Sequence, residues 1–579
     1  LNKKDIPYVL SDNCKEFVDN ILEKDNLFQE AFNNGQSFKN GLYSHTEFNK
    51  YRDFLKKHIH RELKDHQVKA SFHLSLVNNG ANFSVPGSGK TTVVLSVYEK
   101  LRLEKKVNTL LVIGPPSCFG PWKNEYELVL NKKPSTKILA GGEKNQRTKN
   151  YYSTKNISDL YLTTFHTLLN DQDDVCAFLG NKNIHAFLVI DEAHYIKQLN
   201  GNWAKAVLKI ANYSKCRCIL TGTPMPKSYT DLFNLFDFLW PENNPIDSRE
   251  RAKLIRHEKS NDHTSANSVL EETISPLFYR VRKLELHLKP QIFHEPEVIN
   301  MNPHEKKIYE AIVRKIGSYA QKDYLKNIDV ITRLQKGRMI RLRQCFSYCK
   351  LIRTAIDDYE EDIIMDNKDL KSIISNYDNI EVPAKIDKLL SMVDNFLKEH
   401  EKIVIWAHFI DTITLIENQL KKKGIYCKKI IGETPIERTG IEEEDTREKI
   451  LSEFIDPNST LNVLLANPAA CAESISLHKT CHHSIYYDLS YNCAQYLQSL
   501  DRIHRVGGSE NVEAHYYFLQ YAETKEDDIL KNLQQKAQKM YGVIEQDYSI
   551  YSLDMFDDQN EDVEAYKRIF SGVENEVNI

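Results

Sequence analysis

The stretch Ser84-Val85-Pro86-Gly87-Ser88-Gly89-Lys90-Thr91-Thr92 carries the residue types and spacing that most directly imply chemistry. Two glycines let a backbone approach an anion closely. The apolar run Val93–Tyr98 behind them predicts a helix whose N-terminal N–H groups and dipole meet at the same point. In such a loop Lys90 reaches the outer phosphates of a nucleotide and the Thr91 hydroxyl ligates Mg²⁺. Ser84, Gly87, Ser88, Gly89 and Thr92 complete the expected phosphate-binding set. The pattern G-x-x-x-x-G-K-[ST] asks for glycine at 84, where this chain has serine. A second signal is Asp191-Glu192-Ala193-His194, directly after the apolar run Phe187–Ile190. An aspartate at a strand's end beside a phosphate loop suits Mg²⁺, and the adjacent glutamate suits orienting or deprotonating a water. The plainer reading is a capped helix start, and the upstream phosphate loop decides against it.

Two more groups sit at a distance. Gln67, in Leu63-Lys64-Asp65-His66-Gln67, could read an adenine bidentately through its exocyclic amine and a ring nitrogen; an exposed surface glutamine is the alternative. Arg502 and Arg505 stand in Gln498-Ser499-Leu500-Asp501-Arg502-Ile503-His504-Arg505-Val506-Gly507. Three apart on a helix, they would share one face and could stabilise γ-phosphate charge as arginine fingers do. Two surface arginines are the alternative.

Positioning these groups requires strands that end where the loops begin. Four continuous apolar runs, at 110–113, 160–163, 187–190 and 217–220, predict a parallel sheet buried on both faces. In such sheets ligands bind beyond the carboxyl ends of the strands. The runs end in Gly114-Pro115-Pro116-Ser117, Thr164-Phe165-His166, Asp191–His194 and Thr221-Gly222-Thr223-Pro224. A second alternation starts after Pro383, with strands expected at 403–406, 463–466, 484–488 and 514–518 and a helix at 415–420. Between the two lies a mainly helical stretch with Arg338, Arg341 and Arg343 close together and an acidic run at Asp357–Asp362. The expected divisions are a helical N-terminal module 1–60, a first lobe 61–243, a helical linker 244–382, a second lobe 383–541 and an acidic tail 542–579.

With 579 residues the chain is too long for one core. Its 41% hydrophobic and 27% charged residues place it in the ordinary globular class. No apolar run approaches the ~20 residues of a membrane span, and Leu1–Asp5 does not resemble a signal peptide, so no membrane partner is expected. Eleven scattered cysteines suit reduced thiols and a cytoplasmic or nucleoid-associated location. The net charge of −4 gives no global basic signal, so nucleic-acid binding would need a local groove. Cys471, His478, Cys481, His482, His483 and Cys493 could be drawn as a zinc site. They lack a C-x₂₋₄-C pair with a matching partner, and core cysteines with surface histidines explain them.

Taken in order, Gln67, Ser84–Thr91, Asp191–His194 and Thr221–Pro224 resemble the first RecA-like lobe of superfamily-two helicases and translocases, and within them the Swi/Snf-type ATPases. Pro115-Pro116-Ser117 with Trp122, and Leu220–Pro224 followed by Asp231–Leu239, are the clearest local matches. Arg341-Leu342-Arg343-Gln344 resembles the family's helical insertion. Gly432, Arg447, Ile450 and Phe454 resemble a second-lobe block, interrupted by an acidic insertion at Glu442–Asp445. Ala469–Leu477 is similar to its coupling loop without the usual glycines, and Thr524–Leu530 to its closing helix. The resemblance spans roughly residues 60–541. It implies an α/β fold of two RecA-like parallel-sheet lobes with helical insertions, using ATP and Mg²⁺. Lys90, Glu192, Arg502 and Arg505 would serve hydrolysis, and Thr91 with Asp191 the metal. It further implies movement along nucleic acid, double-stranded DNA first. The alternatives are a motor on single strands or RNA, and a nucleic-acid-gated switch that recruits a partner without net translocation. No nuclease, methyltransferase or deaminase motif is visible, so any such activity would come from a protein partner. Ser84-Val85-Pro86 and Met225-Pro226-Lys227-Ser228 depart from the pattern and point to a viral, plasmid or bacterial relative rather than a eukaryotic remodeller.

Overall fold

Short apolar runs buried on both faces pair best with one another, and runs joined through helices must pair in parallel. A computed structural model shows this arrangement twice. It describes residues 11–152, 157–225, 228–320, 328–353, 368–435, 445–471, 475–544 and 558–570. Pro226, Lys227, Asp357–Asp362, Glu442–Glu444, Ala472–Ser474 and most of the acidic tail lie outside these residues. The chain divides between Leu286 and His287 into two compact units, in place of the breaks expected at 243 and 382.

The first unit is built on strands β1 (Gly80–Asn82), β2 (Thr109–Ile113), β3 (Thr136–Leu139), β4 (Leu160–Thr163), β5 (Ala186–Asp191), β6 (Cys216–Leu220) and β7 (Phe278–Tyr279). They form one sheet in the order β3-β4-β2-β5-β6-β1-β7, with every pair parallel. β2, β4 and β6 are buried throughout, as continuous apolar runs require. The N-terminal residues belong to this unit and do not stand apart as a module. Ala31, Tyr51, Leu55 and Ile59 enter its core. Phe28 meets Trp240 edge-on at 5.1 Å, and Phe48 and Tyr51 pack on Phe72 at 5.1 and 5.4 Å. Each such aromatic pair adds about 0.5–1.5 kcal/mol beyond its buried area. Residues up to Leu286, including β7, complete this sheet, so the expected linker is shared between the two units.

The second unit holds β8 (Gln291–Phe293), β9 (Glu297–Ile299), β10 (Lys402–Trp406), β11 (Cys427–Ile430), β12 (Val463–Ala466), β13 (Cys481–Tyr486) and β14 (Ala514–Tyr521). The order is β11-β12-β10-β13-β14-β8, with β9 also on β14, again all parallel. β13 ends at Tyr486, so Tyr487 and Asp488 fall in the following turn and not in the strand expected to include them. Helices Pro303–Ala320 and Ile328–Ser347 from the expected linker pack here, as does a helix at Asp558–Phe570 from the expected tail. Among the described residues no helix is long and apolar enough to cross a membrane.

Candidate active site

The phosphate loop joins the end of β1 to helix Lys90–Leu103. Gly87 and Gly89 adopt φ of 80° and 83°, a region open to glycine at little steric cost. At Gly89 a Cβ would also lie 2.1 Å from Gln67 Nε2. That amide donates to the Ser88 carbonyl at 3.0 Å, and its Oε1 accepts from the Lys64 N–H at 3.0 Å. Gln67 is 2% exposed, and both ends of its amide hold protein. One N–H and one oxygen lone pair of that amide are left over for the expected reading of an adenine. His66, overlooked in the sequence, places Nε2 3.0 Å from the same Ser88 carbonyl. Burial lowers its pKa, so a neutral ring donating from Nε2 fits an oxygen that can only accept.

Ser84 holds the loop from the other side. Its N–H donates to Asn82 Oδ1 at 3.1 Å, and its hydroxyl accepts from the Val281 N–H at 3.0 Å. The serine that replaces the motif's glycine thereby ties the loop to the chain after β7. Lys90 Nζ donates to the Ser84 and Val85 carbonyls at 3.0 and 3.4 Å. Ser88 Oγ is buried without a hydrogen-bond partner, an unmet polar group that an anion in the loop would satisfy. Thr91 is the second residue of the helix and half-buried. Thr92 turns away from the loop. It is 1% exposed, donates to Glu125 Oε2 at 2.9 Å and accepts from Arg61 at 3.4 Å, so it braces helices rather than a phosphate.

Asp191 closes β5. Its Oδ2 accepts from the buried Trp122 Nε1 at 2.8 Å, and its Oδ1 from the Glu192 N–H at 3.0 Å. Burial and then the neighbouring Glu192 charge push its pKa up to about 6, against a smaller pull from Lys90. Two adjacent carboxylates, one of them buried, make a setting that a cation stabilises. Thr91 and Asp191 are the kind of sparse oxygen set Mg²⁺ uses when phosphates and waters fill its other positions. The residues fit that ion. Glu192 has φ of 52°, a left-handed conformation uncommon for a residue with a side chain. Its Oε2 lies 3.3 Å from His194 Nδ1, and that nitrogen lies 3.3 Å from Thr221 Oγ1. A Cβ on Gly222 would stand 2.9 Å from Pro86 Cδ, and one on Gly114 would stand 3.1 Å from Asp191 Cβ. The loops after β1, β2, β5 and β6 thus interlock at the carboxyl ends of their strands.

In the second unit helix Cys493–Leu500 is capped at Asp501, so Arg502 and Arg505 follow it in turns and do not share a helical face. Arg502 is 4% exposed and donates to the Gln498 and Ile475 carbonyls at 2.7 and 3.1 Å. Arg505, half-buried, donates to the Asp501 carbonyl and Ser476 Oγ, both at 2.7 Å. Cys481 and Cys493 are fully buried. Among the described residues no group of three or more His, Cys, Asp or Glu could hold a metal ion.

A phosphate loop, an Asp-Glu pair and a Thr-Gly-Thr-Pro loop on one parallel sheet, followed by a second parallel-sheet unit, define a two-lobe helicase-like ATPase. The SNF2-related domain model matches residues 32–359, more than half the chain, and the helicase conserved C-terminal domain matches 384–507. The chain belongs to the SNF2-related family of ATP-hydrolysing, helicase-like proteins. It is 24% identical over 514 residues to the mouse DNA excision repair protein ERCC-6-like, covering 79% of this chain and 40% of that protein. It is 23% identical to a Mycoplasma genitalium protein described as uncharacterized ATP-dependent helicase MG018, covering 86% and 43%. With the Arabidopsis thaliana ATP-dependent DNA helicase DDM1 identity is 24%, covering 84% and 62%. The chain thus spans less than two thirds of each of these relatives. The Sulfolobus solfataricus SWI2/SNF2 ATPase core in complex with dsDNA is 22% identical, with a TM-score of 0.38, covering 84% of this chain and 94% of that one.

Proposed function

We propose that this protein is a motor that moves along double-stranded DNA by hydrolysing Mg²⁺-bound ATP. The observation that carries the reading is the interlock of four strand-end loops around an unmet Ser88 hydroxyl, a folded-back Lys90 and the adjacent carboxylates of Asp191 and Glu192. The phosphate-loop backbone, Ser88 and Lys90 would hold the phosphates, and Thr91 and Asp191 the Mg²⁺. When bound, that ion withdraws negative charge from the phosphate oxygens. Glu192 orients the attacking water and accepts its proton. His194 links Glu192 to Thr221, and through Gly222 and Pro86 back to the phosphate loop. Arg505 serves as the finger on the γ-phosphate, and Arg502, held by carbonyls of its own unit, positions the turn that carries it. The names of relatives that act on DNA favour DNA over RNA.

Steady-state ATP turnover with no nucleic acid, duplex DNA, single-stranded DNA and RNA tests this, followed by displacement of a bound roadblock from the duplex. Duplex-stimulated turnover with displacement is expected. Stimulation by single strands or RNA alone would replace the substrate, and stimulation without displacement would replace movement by a switch.

A further inference from the structure

We infer that helix Asp558–Phe570 covers a nucleic-acid phosphate site on the second unit, with Asp562 standing in for the phosphate at Arg343. The inference rests on the DNA-motor reading above and adds a contact surface and its control. Helix Ile328–Ser347 carries Arg338 and Arg343, 2% and 6% exposed. Arg338 NH1 donates to Tyr566 Oη at 2.7 Å, and its guanidinium lies 5.5 Å from the centre of that ring. Arg343 NH1 reaches Asp562 Oδ1 at 3.3 Å, while its Nε and NH2 are buried without a hydrogen-bond partner.

This is poor use of a guanidinium. A structural Arg–carboxylate pair engages two parallel N–H donors at about 2.7–2.9 Å, and a buried unmet donor costs stability. A phosphate oxyanion satisfies the fork that Asp562 leaves half-used. His408 Nδ1 is likewise buried and unpartnered; burial, then the Arg343 charge, lowers its pKa to about 3. That ring stays neutral, and the carboxylate on its side, Asp488, accepts from the His408 backbone N–H at 2.6 Å and gives Arg343 no hydrogen bond. The Phe409 ring lies 5.8 Å from the guanidinium and keeps water from one face.

Besides Arg338 and Arg343, the cover is fastened by one apolar face, which includes the buried Val563, and by one surface ion pair. Ala565, Tyr566 and Phe570 are buried, and Arg568 bonds Asp528 at 2.9 and 2.6 Å in a partly exposed pair. Exposed ion pairs contribute little, so the helix can be released by an anion that binds Arg343 better than Asp562 does.

The test compares the unaltered chain with Asp562→Asn, Arg568→Ala and each combined with Arg343→Gln, using a fluorescent DNA duplex over a salt series. Asp562→Asn and Arg568→Ala should bind several-fold tighter. The log–log salt slope should steepen by about 0.9, the value for one further neutralised phosphate. Adding Arg343→Gln should remove both gains. In the unaltered chain, duplex should increase amide exchange across 558–570. Unchanged affinity and slope, a gain that survives Arg343→Gln, or unchanged or slower exchange on adding duplex would each overturn the inference. An unaltered chain that binds no duplex would overturn the motor reading itself and the inference with it. Unaltered thermal midpoints in the single variants separate these outcomes from misfolding.

Discussion

Glu192 and Asp191 are neighbours with different anchors. Asp191 is held by Trp122 and by the Glu192 backbone, whereas the Glu192 carboxylate meets His194. Glu192→Gln should therefore keep ATP affinity near that of the unaltered protein while single-turnover hydrolysis falls by at least the ~10²–10⁴ attributed to general bases. Nucleotide titration and quenched-flow on one preparation check this, and loss of ATP binding would show the two carboxylates share one role. Several of these details were legible in the chain. Lys90, Thr91, Asp191 and Glu192 announce themselves because phosphate chemistry demands their types at fixed spacing. Thr92 and Gln67 have suitable types, yet their partners, Glu125 and the Ser88 carbonyl, come from tertiary packing. His66 left no signal beyond its place beside Gln67.

At the level of elements, the strand runs were readable because burial on both faces leaves little freedom of residue type. β7, β8 and β9, of two or three residues, were not. The helix at 558–570 was hidden by an acidic composition, although Val563, Tyr566 and Phe570 recur at helical spacing. The edge of the second sheet carries a testable acid sensitivity. His294 stacks on Tyr517 at 4.2 Å, bonds His515 at 3.1 Å and follows β8, while His483 stacks on His515 at 5.2 Å. Burial and then the neighbouring histidines lower His483 to about 4, and burial lowers His294 and His482. Glu297 opposes the shift at His294 and Glu401 that at His482. A depressed histidine stabilises above its unfolded pKa near 6.5 and loses that contribution as pH falls through its folded value. The melting temperature of the second unit should thus drop between about pH 6.5 and 4, and His294→Phe should flatten the decline. An identical pH profile in that variant would refute it. Deeper in the unit, Lys385 is fully buried against Glu526, donates to the Tyr487 carbonyl at 3.2 Å and lies 4.8 Å from the Tyr521 ring centre. Lys385→Met should destabilise by about 3–5 kcal/mol, because it strands a buried carboxylate; Glu526→Gln on top should recover part of that loss in thermal melts.

At the scale of the molecule, Arg505 stands far along the chain from Lys90, in the other compact unit, and its proposed role is tested by turnover. Arg505→Ala should leave nucleotide affinity near that of the unaltered chain and cut duplex-stimulated turnover by ~10³–10⁵, with little rescue by lysine. A surface arginine would tolerate either change within about 0.5 kcal/mol of stability and leave hydrolysis alone. The parallel pairing of both sheets has a further consequence, in time. Among the described residues β8 pairs with β14 alone, and Gln291 meets Ala514, 223 positions later. A ribosome adding ~5–20 residues per second needs roughly 10–45 s to supply that partner. Until β14 emerges β8 lacks its partner strand, and the part of the sheet already made ends in an open edge at β13, the form most prone to pair with a stranger. Slowing translation ahead of β14 would lengthen that exposure.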